Sequence, residues 1–178
     1  MEQIKIKNGE TVVIREVSIS DAEQYTRLEN TIHDETKYLA HSTEEKKILI
    51  EDIKEKLLSS INSKTTRIIV AEVGGRLIGR AKVKQVSKYQ RIAHRCELSI
   101  AVVKNYWGYG VGRTLMEEII NAAKQLGFEQ IELIVVKDNE RAHNMYLSFG
   151  FEDEGILKRG FKYPDGTYVD EFMMVKFL

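Results

Sequence analysis

Apolar and polar positions along this chain alternate with two different periods, and the switches between them outline its elements. Val12 to Val17 predicts a strand, and Ser20 or Asp21 caps a predicted helix running to about Ile32. The segment Ser42-Thr43-Glu44-Glu45-Lys46 has the form of a capping box and predicts a second helix from roughly Thr43 to Ile61. Ile68 to Val73, Gly74-Gly75, then Leu77 to Val86 reads as a hairpin, followed by a strand from about Ala93 to Val103. In that strand Cys96, Leu98, Ile100 and Val102 point one way and suit a core. Glu97, Ser99 and Ala101 point the other way, a small and polar face expected to line a cleft. A helix-period stripe follows at Val111, Leu115, Ile119, Ala122 and Leu126, closed by Gly127. Gln130 to Val136 is nearly all apolar, which predicts a strand buried on both faces. Asn139 caps a short helix with Ala142, Met145, Tyr146 and Phe149 on one face, and Gly150 ends it. Strands near Phe151 to Tyr163 and Tyr168 to Phe177 meet at a turn carrying Asp165-Gly166.

This order implies an α/β (α+β) fold: a mixed, mostly antiparallel central sheet of about seven strands flanked by about four helices. Leu98 to Val136 is a strand–helix–strand unit, expected to be a right-handed crossover between parallel strands. Ligands at such units bind beyond the carboxyl ends of the strands. With 178 residues, 43% of them hydrophobic, a single domain over 1–178 is expected, with a substantial core. The 27 basic residues balance 27 acidic ones, which disfavours nucleic acid as the main partner. No apolar run suits a transmembrane helix, the first residues do not resemble a signal peptide, and no membrane partner is expected. Cys96 is the one cysteine, which fits a reducing cytoplasm, and with four scattered histidines no metal-ligand spacing appears.

The strand-to-helix junction carries the chemistry. Gly108, Gly110 and Gly112 alternate immediately before the helix stripe. Bare backbone N–H groups beside the positive end of a helix form a pocket for an anion, most often a phosphate. The competing reading is a tight turn with glycines at positive φ and no ligand. A nucleoside-triphosphate loop needs Lys then Ser or Thr after the last glycine, where this chain has Arg113-Thr114. A dinucleotide fold needs Gly-x-Gly-x-x-Gly in an early parallel unit, and that spacing is absent.

Trp107-Gly108-Tyr109-Gly110-Val111-Gly112-Arg113 resembles the acetyl-coenzyme A pyrophosphate loop of the GCN5-related N-acetyltransferases. Asn139 through Phe151 resembles that family's Asn-x-x-Ala-x-x-x-Tyr-x-x-x-Gly-Phe segment, and the C-terminal segment resembles the closing hairpin of its ribosomal-protein and polyamine branches. One departure is Trp107, where the family usually has Gln or Arg. The resemblance implies a single N-acetyltransferase domain that moves an acetyl group from acetyl-CoA to a primary amine in a ternary complex. The acceptor would be a small molecule such as a polyamine, or a peptide N-terminus. A non-catalytic acyl-CoA sensor is the alternative, and a homodimer is left open.

By the same resemblance Tyr146 is the acid for the departing thiolate, and Asn139 and Asn144 steady the cosubstrate. Residues Trp107 to Arg113 bind the pyrophosphate, and Ile100, Ala101 and Val102 contact the pantetheine arm. Tyr146 also suits an ordinary core position, and Asn139 a plain helix cap. Glu97 is the candidate base through water, against a simple exposed carboxylate. Glu29, Asp34 and Glu35 form an acidic group that would attract a cationic acceptor, or else a solvated surface.

Overall fold

The computed structural model describes residues 2–178. Eight strands are present: β1 (Glu2–Lys5), β2 (Thr11–Glu16), β3 (Thr66–Val73), β4 (Arg76–Gln85), β5 (Arg95–Val102), β6 (Gln130–Val136), β7 (Glu152–Lys162) and β8 (Tyr168–Phe177). Four α-helices accompany them: α1 (Ala22–Glu35), α2 (Ile50–Ile61), α3 (Val111–Gln125) and α4 (Glu140–Ser148). Most strand pairs are antiparallel, so the architecture is the mixed α/β type that the pattern predicts. The chain divides into two compact units interleaved in sequence, Met1–Lys84 with Ser99–Leu126, and Gln85–Leu98 with Gly127–Leu178.

In the first unit β1, β2, β3 and β4 follow one another as antiparallel neighbours. β1 goes beyond the predicted seven strands. Its Glu-Gln-Ile-Lys stretch has no apolar rhythm of its own, and the strand is defined by its ladder to β2, with Ile4 opposite Val12. Tyr25, Leu28 and Ile32 of α1 and Ile53 and Leu57 of α2 pack onto Ile68 and Val70 of β3. Each such side chain contributes roughly 1.5–3 kcal/mol on burial.

Two helix starts differ from prediction. The cap before α1 is Ser18, whose side chain accepts from the Ser20 N–H in a 3-10 turn (Ile19–Asp21), while Asp21 accepts from the Ser18 N–H at 2.7 Å. Asp21 occupies the N-cap position of α1 as predicted, but its carboxylate, gripped by the Arg15 guanidinium at 2.7 and 2.8 Å, closes the box and makes no capping bond to α1. The second predicted start forms its box as well: Ser42 N–H donates to Glu45 at 2.8 Å, and Lys46 N–H to the Ser42 carbonyl at 3.1 Å. Yet only one turn results, and α2 begins at Ile50. Glu44 to Lys47 offers no apolar face to bury, and a lone turn does not propagate without one.

In the second unit the start of β5 pairs parallel with β6 at Arg95–Gln130, Cys96–Ile131 and Glu97–Glu132, as a strand–helix–strand unit requires. β8 then pairs antiparallel with both β6 and β7. Burial on both faces of β6 does not hold throughout. Ile131, Leu133, Val135 and Val136 are buried, but Ile134 is 58% exposed beside the similarly exposed Met173 of β8. Asn139 caps α4 as predicted, its Oδ1 accepting the Ala142 N–H at 3.3 Å.

Candidate functional site

The glycine turn leaves the end of β5 within the first unit. Val103 N–H donates to the Ile78 carbonyl at 2.9 Å, which holds the exit of β5 against β4. A 3-10 turn (Lys104–Tyr106) follows and uses the amides of Tyr106 and Trp107, each 3.0 Å from its acceptor. Two further bonds pin it: the Lys104 N–H donates to the Glu35 carboxylate, and the Trp107 indole N–H donates to the Val102 carbonyl. Trp107 thus directs its indole N–H back at β5 and spends its backbone amide on the Lys104 carbonyl, so the donors for a phosphate begin at Gly108.

Gly108 and Gly110 then take φ of +83° and +104°, where a side chain would strain the backbone, and a Cβ at either would meet nothing within 4 Å. Gly112 is different, being the second residue of α3. Arg113 and Thr114 N–H groups close on the Gly110 carbonyl at 2.9 and 3.2 Å. Among the described residues, no turn, loop or cap bond uses the amides of Gly108, Tyr109, Gly110, Val111 or Gly112. The first amides of a helix have no partner within it. Val111 is fully buried and fixes where α3 starts. Open space, unspent donors and a helix N-terminus together fit an anionic diphosphate. Beside Val103, at the root of this turn, lies a cavity of about 320 Å³ whose lining includes Arg27 and Thr31 of α1 and Arg76 of β4.

From Ser99 onward β5 belongs to this unit. Ser99 is exposed, and Ala101 packs against the α1–α2 cluster together with Val103. Ile100 and Val102 are half-buried. Below Ser99 sits a polar cluster that no motif announces. The Arg80 Nε donates to Glu29 Oε1 at 3.0 Å, its Nη2 to Oε2 at 3.4 Å and its Nη1 to Ser99 Oγ at 3.3 Å, and Lys56 Nζ reaches Glu29 Oε1 at 3.3 Å. Burial pushes the Glu29 carboxyl up, but Arg80 and Lys56 outweigh it and hold the group at about 2.

Glu29 is therefore not the surface carboxylate its acidic neighbourhood suggests. It is 3% exposed, and its charge is spent inside the protein. Asp34 accepts from the Thr43 hydroxyl, and Glu35 holds the Lys104 amide. Of the three, Glu29 alone is paired with cations, while Asp34 and Glu35 accept from neutral donors. One signal of the cluster was present in sequence: Arg80 and Lys82 alternate along β4, opposite Val70 and Ile68, where apolar side chains are expected.

The second unit carries the remaining candidates. Tyr146 lies on α4, 8% exposed, its ring tilted against Phe151 with centroids 5.8 Å apart. Asn144 is exposed on the same helix. Glu97 is exposed. Cys96 is fully buried, and burial, with Glu132 and Glu97 nearby, pushes its thiol up to about 12. Such a thiol packs as a small apolar group and does not serve as a nucleophile. No described helix is long and apolar enough to cross a membrane.

With this geometry in hand, comparison with known proteins gives a consistent answer. The sequence model of the acetyltransferase (GNAT) family matches residues 26–151. An L-amino acid N-acetyltransferase of Escherichia coli strain K12 is 32% identical over 109 residues, which is 61% of this chain and 66% of that protein. The chain thus spans just under two thirds of that curated relative. A GNAT-family acetyltransferase from Streptococcus pneumoniae superposes with a TM-score of 0.89 at 26% identity, over 94% of this chain and 99% of that one. A ribosomal-protein-alanine N-acetyltransferase from Brucella melitensis gives a TM-score of 0.82 at 26% identity, over 93% and 99%.

Proposed function

The chain belongs to the acetyltransferase (GNAT) family, and we propose that it moves an acetyl group from acetyl-CoA to a primary amine by direct transfer in a ternary complex. The observation that carries this reading is the row of unspent amides from Gly108 to Gly112 at the start of α3, with open space over Gly108 and Gly110. Those amides would hold the pyrophosphate of the cosubstrate, with Arg113 close by on the exposed side of the helix. The backbone of Ile100, Ala101 and Val102 continues past the last register pair of β5 with β6, and would meet the pantetheine amides.

In the reaction the neutral amine nitrogen attacks the acetyl carbonyl carbon, the carbon–sulfur bond breaks, and the amine loses one proton while the thiolate gains one. Tyr146 is proposed to give that proton to sulfur, and Glu97 to take the amine's proton through water. Asn139 and Asn144 would steady the cosubstrate. Cys96 takes no covalent part, being buried and protonated.

Among amines, the α-amine class is favoured over polyamines. Glu29 is buried and paired with Arg80 and Lys56, so the trio is reduced to two carboxylates for drawing a polycation. A peptide α-amine near pKa 8 costs about 1.4 kcal/mol to neutralise at pH 7, against about 4.6 kcal/mol for a lysine-like amine near 10.4, and so asks less of an exposed base. The Escherichia coli and Brucella melitensis relatives are named for an amino acid and a ribosomal-protein alanine, which supports this choice. A reducing cytoplasm suits the one cysteine.

The test is release of free coenzyme A thiol from acetyl-CoA across amino acids, N-terminal peptides, polyamines and aminoglycosides. Tyr146→Phe should lower turnover by about 10²-fold with coenzyme A affinity retained, since only the hydroxyl is lost. Full activity of that variant removes Tyr146 as the acid. Coenzyme A binding without turnover of any acceptor would make the protein a sensor.

A further inference from the structure

The cluster beneath Ser99 has more donors than acceptors. Arg80 and Lys56 both lean on the single carboxylate of Glu29. The Tyr25 ring lies 5.1 Å from the Lys56 ammonium, and its buried hydroxyl also faces the Glu29 carboxylate. Lys82 adds a third cation. It stands two residues beyond Arg80 on β4, roughly 6.6 Å along the strand, and its register partner Ile68, like Val70 opposite Arg80, faces the α1–α2 core. Lys82 is half-buried and makes no ion pair among the described residues. Burial first, then Lys56, Lys84 and Arg80, hold its ammonium below the usual lysine range, against a partial offset from Glu29. Three cations around one carboxylate, on the strand face that carries Ser99, leave positive charge uncompensated in a poorly hydrated place.

We infer that Lys82, with Arg80 and Ser99 beside it, forms a subsite for the carboxylate of the acceptor, so that the acceptor is a free α-amino acid and not an amine without a carboxylate. The inference rests on the proposed acetyl transfer and names the acceptor class of that same reaction. An entering carboxylate supplies the missing acceptor for the Lys82 ammonium and neutralises charge that the fold leaves open. Arg80 is already held by Glu29 and Ser99, so it contributes field and orientation, and Lys82 the free donor.

The experiment compares each L-amino acid with its amide and with the amine lacking the carboxyl group, by thiol release from acetyl-CoA and by calorimetric binding in the presence of coenzyme A. The acid should be preferred over its amide by about tenfold or more in kcat/KM, as a site built for a polar group rejects an analogue without it. Lys82→Met should shrink that ratio toward one, and Lys82→Arg should keep most of it. Equal use of acid and amide by the parent protein overturns the inference, whatever the variants do. So does a Lys82→Met variant that folds and keeps the preference, or one whose defect is only in coenzyme A affinity, since the anion would then be a phosphate of the cosubstrate. Failure of every amine to release thiol would instead sink the acetyl-transfer reading. The calorimetric acid-to-amide comparison would still decide the subsite in that case.

Discussion

Gly110 is constrained by its backbone angle, whereas Gly112 is an ordinary helical residue, and the distinction decides how the loop is tested. Gly110 sits at φ +104°, so any side chain there strains the turn and a loss of binding would be ambiguous. Gly112 is already helical, and valine is tolerated in a helix. Gly112→Val should therefore leave circular dichroism and the unfolding midpoint near the parent's, while calorimetric affinity for coenzyme A falls by about 10²-fold or more as the side chain covers the amides. Unchanged affinity would put the pyrophosphate elsewhere. The glycine turn was legible in sequence because its backbone angles and the helix start follow from neighbours a few positions away, whereas Tyr146 was singled out only through the family resemblance. Glu29 was not legible, because its fate depends on Arg80, 51 residues distant.

Elements were readable where a hydrophobic face and an end signal agreed. α3 and α4 have both, and their observed ranges follow the pattern. The box at Ser42 has the signal without the face and yields a turn, while β1 has neither and exists through its ladder to β2. α4 also separates two roles for Asn139. Asn139→Ala should cost about 1 kcal/mol in urea unfolding, because the Ala142 amide loses its acceptor. Asn139→Asp should keep that stability, as aspartate caps equally well. If the residue also steadies the cosubstrate, the added negative charge should weaken coenzyme A binding severalfold, and an unaltered affinity would leave Asn139 as a cap alone.

For the molecule as a whole, the buried ion pairs set an acid limit. Burial works against ionisation of Asp21 and Glu29, yet Arg15 keeps Asp21 below its usual range, and Arg80 with Lys56 keeps Glu29 at about 2. A carboxyl depressed in the folded state stabilises fully above its unfolded value and loses that contribution as pH falls through its folded one. Stability should therefore decline from near the ordinary glutamate value of 4.5 down to about 2, read as urea midpoints across that range. Glu29→Gln should lose about 3 kcal/mol at neutral pH, because it strands Arg80 and Lys56, and should flatten the acid limb. Parallel curves for parent and variant would mean that Glu29 is not ionised in the folded protein.

The sequence by itself determined the glycine corner, the helix that follows it, the cap of α4 and the parallel step from β5 to β6. Each depends on φ, on donors at a helix start or on side-chain period, and all of these are written in adjacent residues. Only the tertiary structure decided the charges. Folding α1 and α2 onto β3 and β4 buried Glu29 and Arg80 and half-buried Lys56 and Lys82. There the attraction of Arg80 and Lys56 outweighs the cost of taking the Glu29 carboxylate out of water, while Lys82 is left among like charges.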